Sequence, residues 1–116
     1  VKTLIILNEP AYDNERTYNG MRLALSLAKS GGVELRVFLM SDSVTAAKPG
    51  QTTPEGYYNL GRMLKGLAPK AVPVGACGTC IDARAMTDEP LVEGVHRSTL
   101  AELTAWTIWA DKVITF

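Results

Sequence analysis

Four short runs rich in Val, Ile and Leu constrain the fold of this chain more than any other feature. They are Lys2–Leu7 (KTLIIL), Val33–Met40 (VELRVFLM), Ala71–Val74 (AVPV) and Lys112–Phe116 (KVITF). The first is apolar without alternation, the pattern of a strand buried on both faces, as central strands of parallel sheets are. The second alternates at first and then turns wholly apolar. Between the runs the period changes to that of a helix. From Asn14 to Ser30, Tyr18, Met21, Leu25 and Ala28 recur at three- and four-residue steps, widened by Leu23, Ala24 and Leu27. Asp13 or Asn14 can cap this helix and Gly31–Gly32 can end it. A second helix is expected from Pro54 or Glu55 to Gly66, carrying Tyr57, Leu60, Met63 and Leu64. A third follows the capping box Thr99-x-x-Glu102, with Leu100, Leu103, Trp106 and Ala110. Val44–Lys48 reads as a short helical turn, Pro49–Pro54 as a loop, and Thr87–Gly94 as a loop or broken helix.

Strands alternating with helices predict an α/β protein: three layers, α/β/α, around a mostly parallel sheet of four to five strands. Right-handed crossovers with the first strand central predict the strand order 2-1-3-4. Ligands in such sheets bind beyond the carboxyl ends of the strands where the order reverses, here expected between the first and third strands. Asn8, Tyr12 and Asp13 follow the first strand and Ser41 and Asp42 the second, so Asn8, Tyr12, Ser41 and Asp42 are candidate binding residues.

Composition narrows the function. The 116 residues suit one domain spanning 1–116, and 12 basic against 12 acidic residues leave no net charge. No basic surplus points to nucleic acid. No apolar run approaches the roughly 20 residues that cross a membrane. VKTLIILNEP reads as a strand rather than a signal peptide. The only two cysteines, Cys77 and Cys80, stand in C-x-x-C spacing, which favours a reducing, cytoplasmic setting and thiol chemistry over a structural disulfide.

Both cysteines lie where the third strand is expected to end. Ala71–Val74 would be the strand, Gly75–Cys80 a sharp turn, and Ile81 the start of a helix, with Thr79-x-x-Asp82 as a capping box near Cys80. A thiol there meets backbone N–H groups and a helix N-terminus, which lower the usual pKa of about 8.5. Burial as a small hydrophobe is the plainer fate of a free cysteine, but the strand-end position favours a reactive Cys77. Cys80 is either a resolving thiol or simply a residue of the first helical turn. Gly78 and Thr79 complete the turn as candidate binding residues. Arg84 either stabilises an anionic sulfur or forms an ion pair on the helix surface. Two thiols and the single His96 fall short of a structural zinc site, so no metal is expected, and His96 reads as a solvated loop residue. Trp106 and Trp109 share one side of the last helix, packing the core or an interface between subunits. Tyr57 and Tyr58 pack their helix or line the crevice. The GACG run lacks the dinucleotide-binding pattern.

The segments ACGTCIDAR, PGQTTPEGYYNLGRMLKGL and LAELTAWTIWADKVITF together resemble the DsrE/DsrF-like sulfur-relay family, its small YchN-like members above all. The resemblance covers nearly the whole chain in order. It implies a compact α/β domain that assembles as a homotrimer or homohexamer, with a cysteine after the third strand carrying sulfur as a persulfide. Cys77 matches that position, and Cys80 belongs to a two-cysteine variant of the motif. The implied role is a cytoplasmic sulfurtransferase or sulfur carrier without a cofactor. It would accept sulfane sulfur on Cys77 from a donor protein and pass it to an acceptor. Two alternatives remain open: a dithiol–disulfide oxidoreductase using Cys77 and Cys80, although no Trp precedes the first cysteine, and a non-enzymatic oligomeric module that binds a ligand.

Overall fold

The computed structural model describes residues 1–116. In chain order its elements are β1 (Lys2–Leu7), α1 (Arg16–Ala28), β2 (Glu34–Leu39) and a 3₁₀ segment (Ser41–Ala47). Then come α2 (Leu60–Lys65), a 3₁₀ turn (Ala68–Lys70), β3 (Val74–Cys77), α3 (Gly78–Ala83), β4 (Val95–Ser98), α4 (Leu100–Trp109) and β5 (Lys112–Thr115). The five strands form one parallel sheet with helices on both faces, the three-layer α/β/α arrangement.

The strand order is β4-β3-β2-β1-β5, not 2-1-3-4. β1 lies between β2 and β5, and β3 pairs with β2 through Val37↔Val74 and Leu39↔Ala76. Right-handed crossovers set the face each connection takes, but not the neighbour each strand seeks. Here β2 ends in Val37, Phe38 and Leu39, buried on both faces as interior strands of parallel sheets are, and it takes the interior place between β1 and β3. The chain therefore steps one way from β1 to β4 and then returns through α4 to the far side of β1.

That path sorts the helices. Met21 and Ala24 of α1, Leu60 and Leu64 of α2, and Ile81 of α3 join Ile5, Leu7, Val37 and Leu39 in a core of 19 buried residues. On the other face only α4 lies against the sheet, where Leu103 and Trp106 pack on Leu4 and Phe38. The two aromatic rings meet edge to face at 6.0 Å. Trp106 is thus core, not exposed surface. Because α3 and α4 leave adjacent strands for opposite faces, the crevice of this sheet opens between β3 and β4. It does not lie between β1 and β3.

Local chemistry explains the shifted boundaries. Pro73 has no N–H to give a ladder, and Ala71 closes the preceding 3₁₀ turn in the left-handed region, φ 55°, so β3 begins only at Val74. α2 starts late because Pro54–Tyr57 forms a turn through Gly56 at φ 82°. Asn59 then caps the helix, its side chain accepting from the Arg62 N–H. Tyr57 and Tyr58 precede that helix rather than pack within it. Glu15, not Asp13 or Asn14, occupies the N-cap of α1 and makes no side-chain cap bond. Thr99 caps α4 as expected, accepting from the Glu102 N–H at 3.2 Å. The Glu102 carboxylate does not close a reciprocal box and accepts from Ser98 Oγ instead.

Candidate functional site

Cys77 is the last residue of β3 and also the N-cap of α3, so strand passes into helix with no intervening turn. The Thr79-x-x-Asp82 box does not form; Asp82 turns to Arg97 of β4 instead. Both thiols are free and partly buried. The Cys77 sulfur lies 3.2 Å from the Thr79 hydroxyl. Three residues on from Cys77, the Cys80 sulfur accepts the Ser41 backbone N–H at 3.2 Å. The first contact is local to the turn, whereas the second comes from the side-by-side packing of β2 and β3, which brings the start of the 3₁₀ segment after Leu39 against the first turn of α3.

The two sulfurs are driven apart in acidity. Burial opposes ionisation of Cys77, but hydrogen bonds from the Cys80 thiol, the Thr79 hydroxyl and the backbone N–H groups of both residues outweigh it. The Cys77 thiol is held below its ordinary value. Burial acts in the same sense on Cys80, whose thiol is also engaged by Cys77. The Ser41 N–H and the Arg84 charge only partly offset this, and Cys80 is pushed up. One thiol is set to ionise first while its neighbour keeps its proton.

Cys77 opens into a cleft of about 430 Å³ at the carboxyl ends of β3 and β4. Phe38, Met40, Leu100 and Leu103 make its apolar wall, and Thr79, Arg97, Ser98 and Thr99 supply polar groups. Such a wall sets apolar side chains beside the sulfur while the cleft stays open to an incoming group. Of the residues singled out in the sequence, Cys77, Cys80, Gly78 and Thr79 line this cleft together. Ser41, Asp42 and Arg84 sit behind Cys80. Arg84 donates to Asp42 Oδ1 from Nε and Nη2 at 2.9 and 2.7 Å, and to the Cys80 carbonyl from Nη1 at 3.1 Å.

Asn8 and Tyr12 are placed elsewhere, because β2 stands between β1 and β3. Asn8 donates from its side chain to the Phe116 carbonyl at 3.2 Å, fastening the end of β1 to the end of β5. The Tyr12 hydroxyl donates to Gln51 and accepts the Leu60 N–H at 3.0 Å, while its ring stacks on Tyr58. Tyr58 also stacks on Tyr18 at 4.0 Å and Tyr57 at 4.4 Å, so all four tyrosines form one cluster over α1. His96 lies on β4 rather than in a loop, bonded to Glu102 and edge-on to Trp106. No group of three or more His, Cys, Asp or Glu side chains is arranged to hold a metal ion.

Arg97 is the site residue that sequence reasoning missed. Its guanidinium lies flat on Gly78, where a Cβ would come within 3.0 Å of Cζ, Nε and Nη2. It grips Asp82 with two hydrogen bonds of 2.7 and 2.8 Å. The only trace in the sequence was Gly78 itself, a residue without a side chain beside the first cysteine.

A parallel three-layer α/β domain with two unlike thiols at the switch point of its sheet belongs to the class of small cysteine-bearing α/β proteins. Its family is definite: residues 1–116 match the DsrE/DsrF-like family along their whole length, and the chain belongs to it. It is 46% identical to Protein YchN of Escherichia coli strain K12 over 116 residues, 99% of this chain and 98% of that one. An uncharacterized protein of Methanocaldococcus jannaschii is 34% identical over 116 residues, with both chains covered in full. The crystal structure of the E. coli YchN protein superposes with a TM-score of 0.94, covering 99% of this chain and 98% of that one. A Bacteroides thetaiotaomicron protein of unknown function shares the fold at 16% identity, with a TM-score of 0.68 over 98% of this chain and 94% of its own. No helix is long and apolar enough to cross a membrane.

Proposed function

We propose that the protein handles sulfane sulfur, accepting it on Cys77 as a persulfide and passing it on. The Cys77 thiolate attacks the terminal sulfur of a donor hydropersulfide, R–S–SH. A new sulfur–sulfur bond forms, the donor's breaks, and R–S⁻ departs, leaving Cys77–S–SH. An acceptor thiolate then repeats the exchange on the same terminal sulfur and regenerates the Cys77 thiolate. No oxidant or cofactor enters either step. Cys80, protonated, hydrogen-bonds the sulfur that carries the charge. Alternatively its thiolate attacks the inner sulfur, expelling HS⁻ and leaving a Cys77–Cys80 disulfide that an external thiol must reduce. Such chemistry suits a reducing compartment such as the cytoplasm.

The observation that carries this reading is the opposed acidity of the two thiols at the base of a half-apolar cleft, in a chain of the DsrE/DsrF-like family. The test is mass spectrometry of the non-reduced protein after incubation with a low-molecular-weight hydropersulfide. A gain of about 32 Da, one sulfur atom, on Cys77 is expected, absent from Cys77→Ser and retained in Cys80→Ser. Equal loading of Cys77→Ser and wild type overturns it.

The same acidity pattern favours a second reading, a dithiol–disulfide oxidoreductase in which Cys77 attacks and Cys80 resolves. There, mild oxidation removes about 2 Da, two hydrogens lost as two protons and two electrons to the added oxidant, and either serine variant abolishes turnover. Thiols inert to both treatments point instead to a ligand-binding module.

A further inference from the structure

We infer that Arg97 is the charge partner of the sulfur carried by Cys77, and that Asp82 holds it in place. This rests on the persulfide reading above. Cys77, Gly78 and Arg97 line one cleft, with the Arg97 guanidinium set against the residue that follows Cys77. Arg97 is the β4 residue paired with Ala76, one step before Cys77, so its strand position is fixed by the β3–β4 ladder. Gly78 lets the guanidinium lie on the backbone immediately after the reactive sulfur.

The donor inventory shows what the group is free to do. A guanidinium has five N–H donors. Asp82 takes one from Nη1 and one from Nη2, leaving Nε–H and one N–H on each Nη uncommitted. Asp82 is itself braced by the Thr87 hydroxyl at 2.8 Å, so the fork is pinned rather than loose. Arg84, the arginine nearer in sequence, is spent otherwise: it serves Asp42 and the Cys80 carbonyl, behind the second thiol. A hydropersulfide is a stronger acid than a thiol, so a loaded Cys77 projects an anionic terminal sulfur one bond further into the cleft. A fixed planar cation with spare donors suits that anion, and a charge-assisted hydrogen bond slows its loss. Asp82, which touches no sulfur, is a positioning residue.

The experiment loads wild type, Arg97→Gln, Arg97→Lys and Gly78→Ala with glutathione hydropersulfide as the probe. It follows the decay of the added sulfur by mass spectrometry. In parallel, alkylation of unloaded Cys77 is measured against pH. Loss of one charge-assisted hydrogen bond predicts sulfur loss about tenfold faster in Arg97→Gln. It also predicts a Cys77 alkylation profile displaced to higher pH. Gly78→Ala, which pushes the guanidinium off the backbone without altering its charge, is expected to behave alike. Arg97→Lys restores the alkylation profile more than the sulfur lifetime, since it keeps charge but not the fork. Identical lifetimes and profiles in Arg97→Gln and wild type overturn the inference. If wild type takes up no sulfur, the carrier reading fails. The alkylation profiles then still decide whether Arg97 acts on the Cys77 anion: a displaced profile upholds the pairing, and an unmoved one removes it.

Discussion

Ser41 donates its backbone N–H to the Cys80 sulfur at 3.2 Å from a left-handed conformation, φ 52°. A side chain in that region crowds its own carbonyl, at a cost of roughly 1–2 kcal/mol. The turn between β2 and the 3₁₀ segment is therefore bent against preference, and the bend aims an N–H at a thiol. Replacing Ser41 with Gly relieves the crowding and keeps the donor. Urea unfolding should show stability unchanged or raised by up to about 1 kcal/mol. Ser41→Val, β-branched in the same conformation, should lose about 1–2 kcal/mol. Equal stabilities for the two variants contradict the argument.

The thiols should separate along the pH axis. Cys77 is lowered, so its thiolate forms at lower pH than that of a free cysteine, while Cys80, raised, stays protonated longer. Alkylation followed residue by residue should reach half its maximal rate at lower pH for Cys77. In Cys77→Ser the remaining thiol loses the neighbour that raises it, and its profile should move to lower pH. Coincident profiles for the two wild-type thiols would sink the assignment of Cys77 as nucleophile.

Acid should find the Asp82–Arg97 pair. Hydrogen bonds from Arg97 first, and from Thr87 second, pull the Asp82 carboxyl down to about 2. A carboxyl depressed by folding stabilises the native state fully above its unfolded value, about 3.9. That contribution is lost as pH falls through the folded one. Thermal melts of wild type and Asp82→Asn should therefore differ at neutral pH and converge between about pH 4 and pH 2. A difference that stays constant across that window speaks against the pair.

What could be read from the chain beforehand follows the strength of local patterns. Lys2–Leu7 and the helical stripe around Met21 and Ala24 carried long, unambiguous periods, and both elements formed where expected. β4 did not show itself: its four residues, Val95–Ser98, are mostly polar and half-exposed, and its ladder to β3 rather than its composition makes it a strand. Missing β4 hid the rest. Without it Arg97 had no reason to stand near Cys77, while the assumed order 2-1-3-4 set β1 beside β3, placed the crevice between them and brought Asn8 and Tyr12 into the candidate set. The cysteines were legible because their spacing is local. Their cationic neighbour lies 20 positions away in sequence, and only the β3–β4 pairing joins them.

The second face of the sheet is more thinly covered than the first, with four buried residues in its core against 19. Only α4 shields it, with Leu103 and Trp106 turned inward. On the same helix Leu100 and Ile108 are 72% and 81% exposed, and Val113 of β5 is 43% exposed. The Arg36 guanidinium covers the Trp109 ring at 3.9 Å, so this tryptophan is partly satisfied within the chain, whereas the aliphatic groups are not. Exposed aliphatic side chains grouped on one helix favour burial against another protein surface, and a net charge of zero offers no repulsion between copies. We therefore propose that copies of this chain associate through α4 as a trimer or as a hexamer built from two trimers. Because Leu100 also lines the Cys77 cleft, the cleft would lie beside the subunit boundary. Light scattering at micromolar concentration should give a multiple of the 12.5 kDa chain mass. Ile108→Glu places a charge in the proposed contact and should drive the assembly toward monomer while leaving the fold intact by circular dichroism. A wild-type mass equal to one chain, or an Ile108→Glu assembly unchanged from wild type, would rule out α4 as the contact.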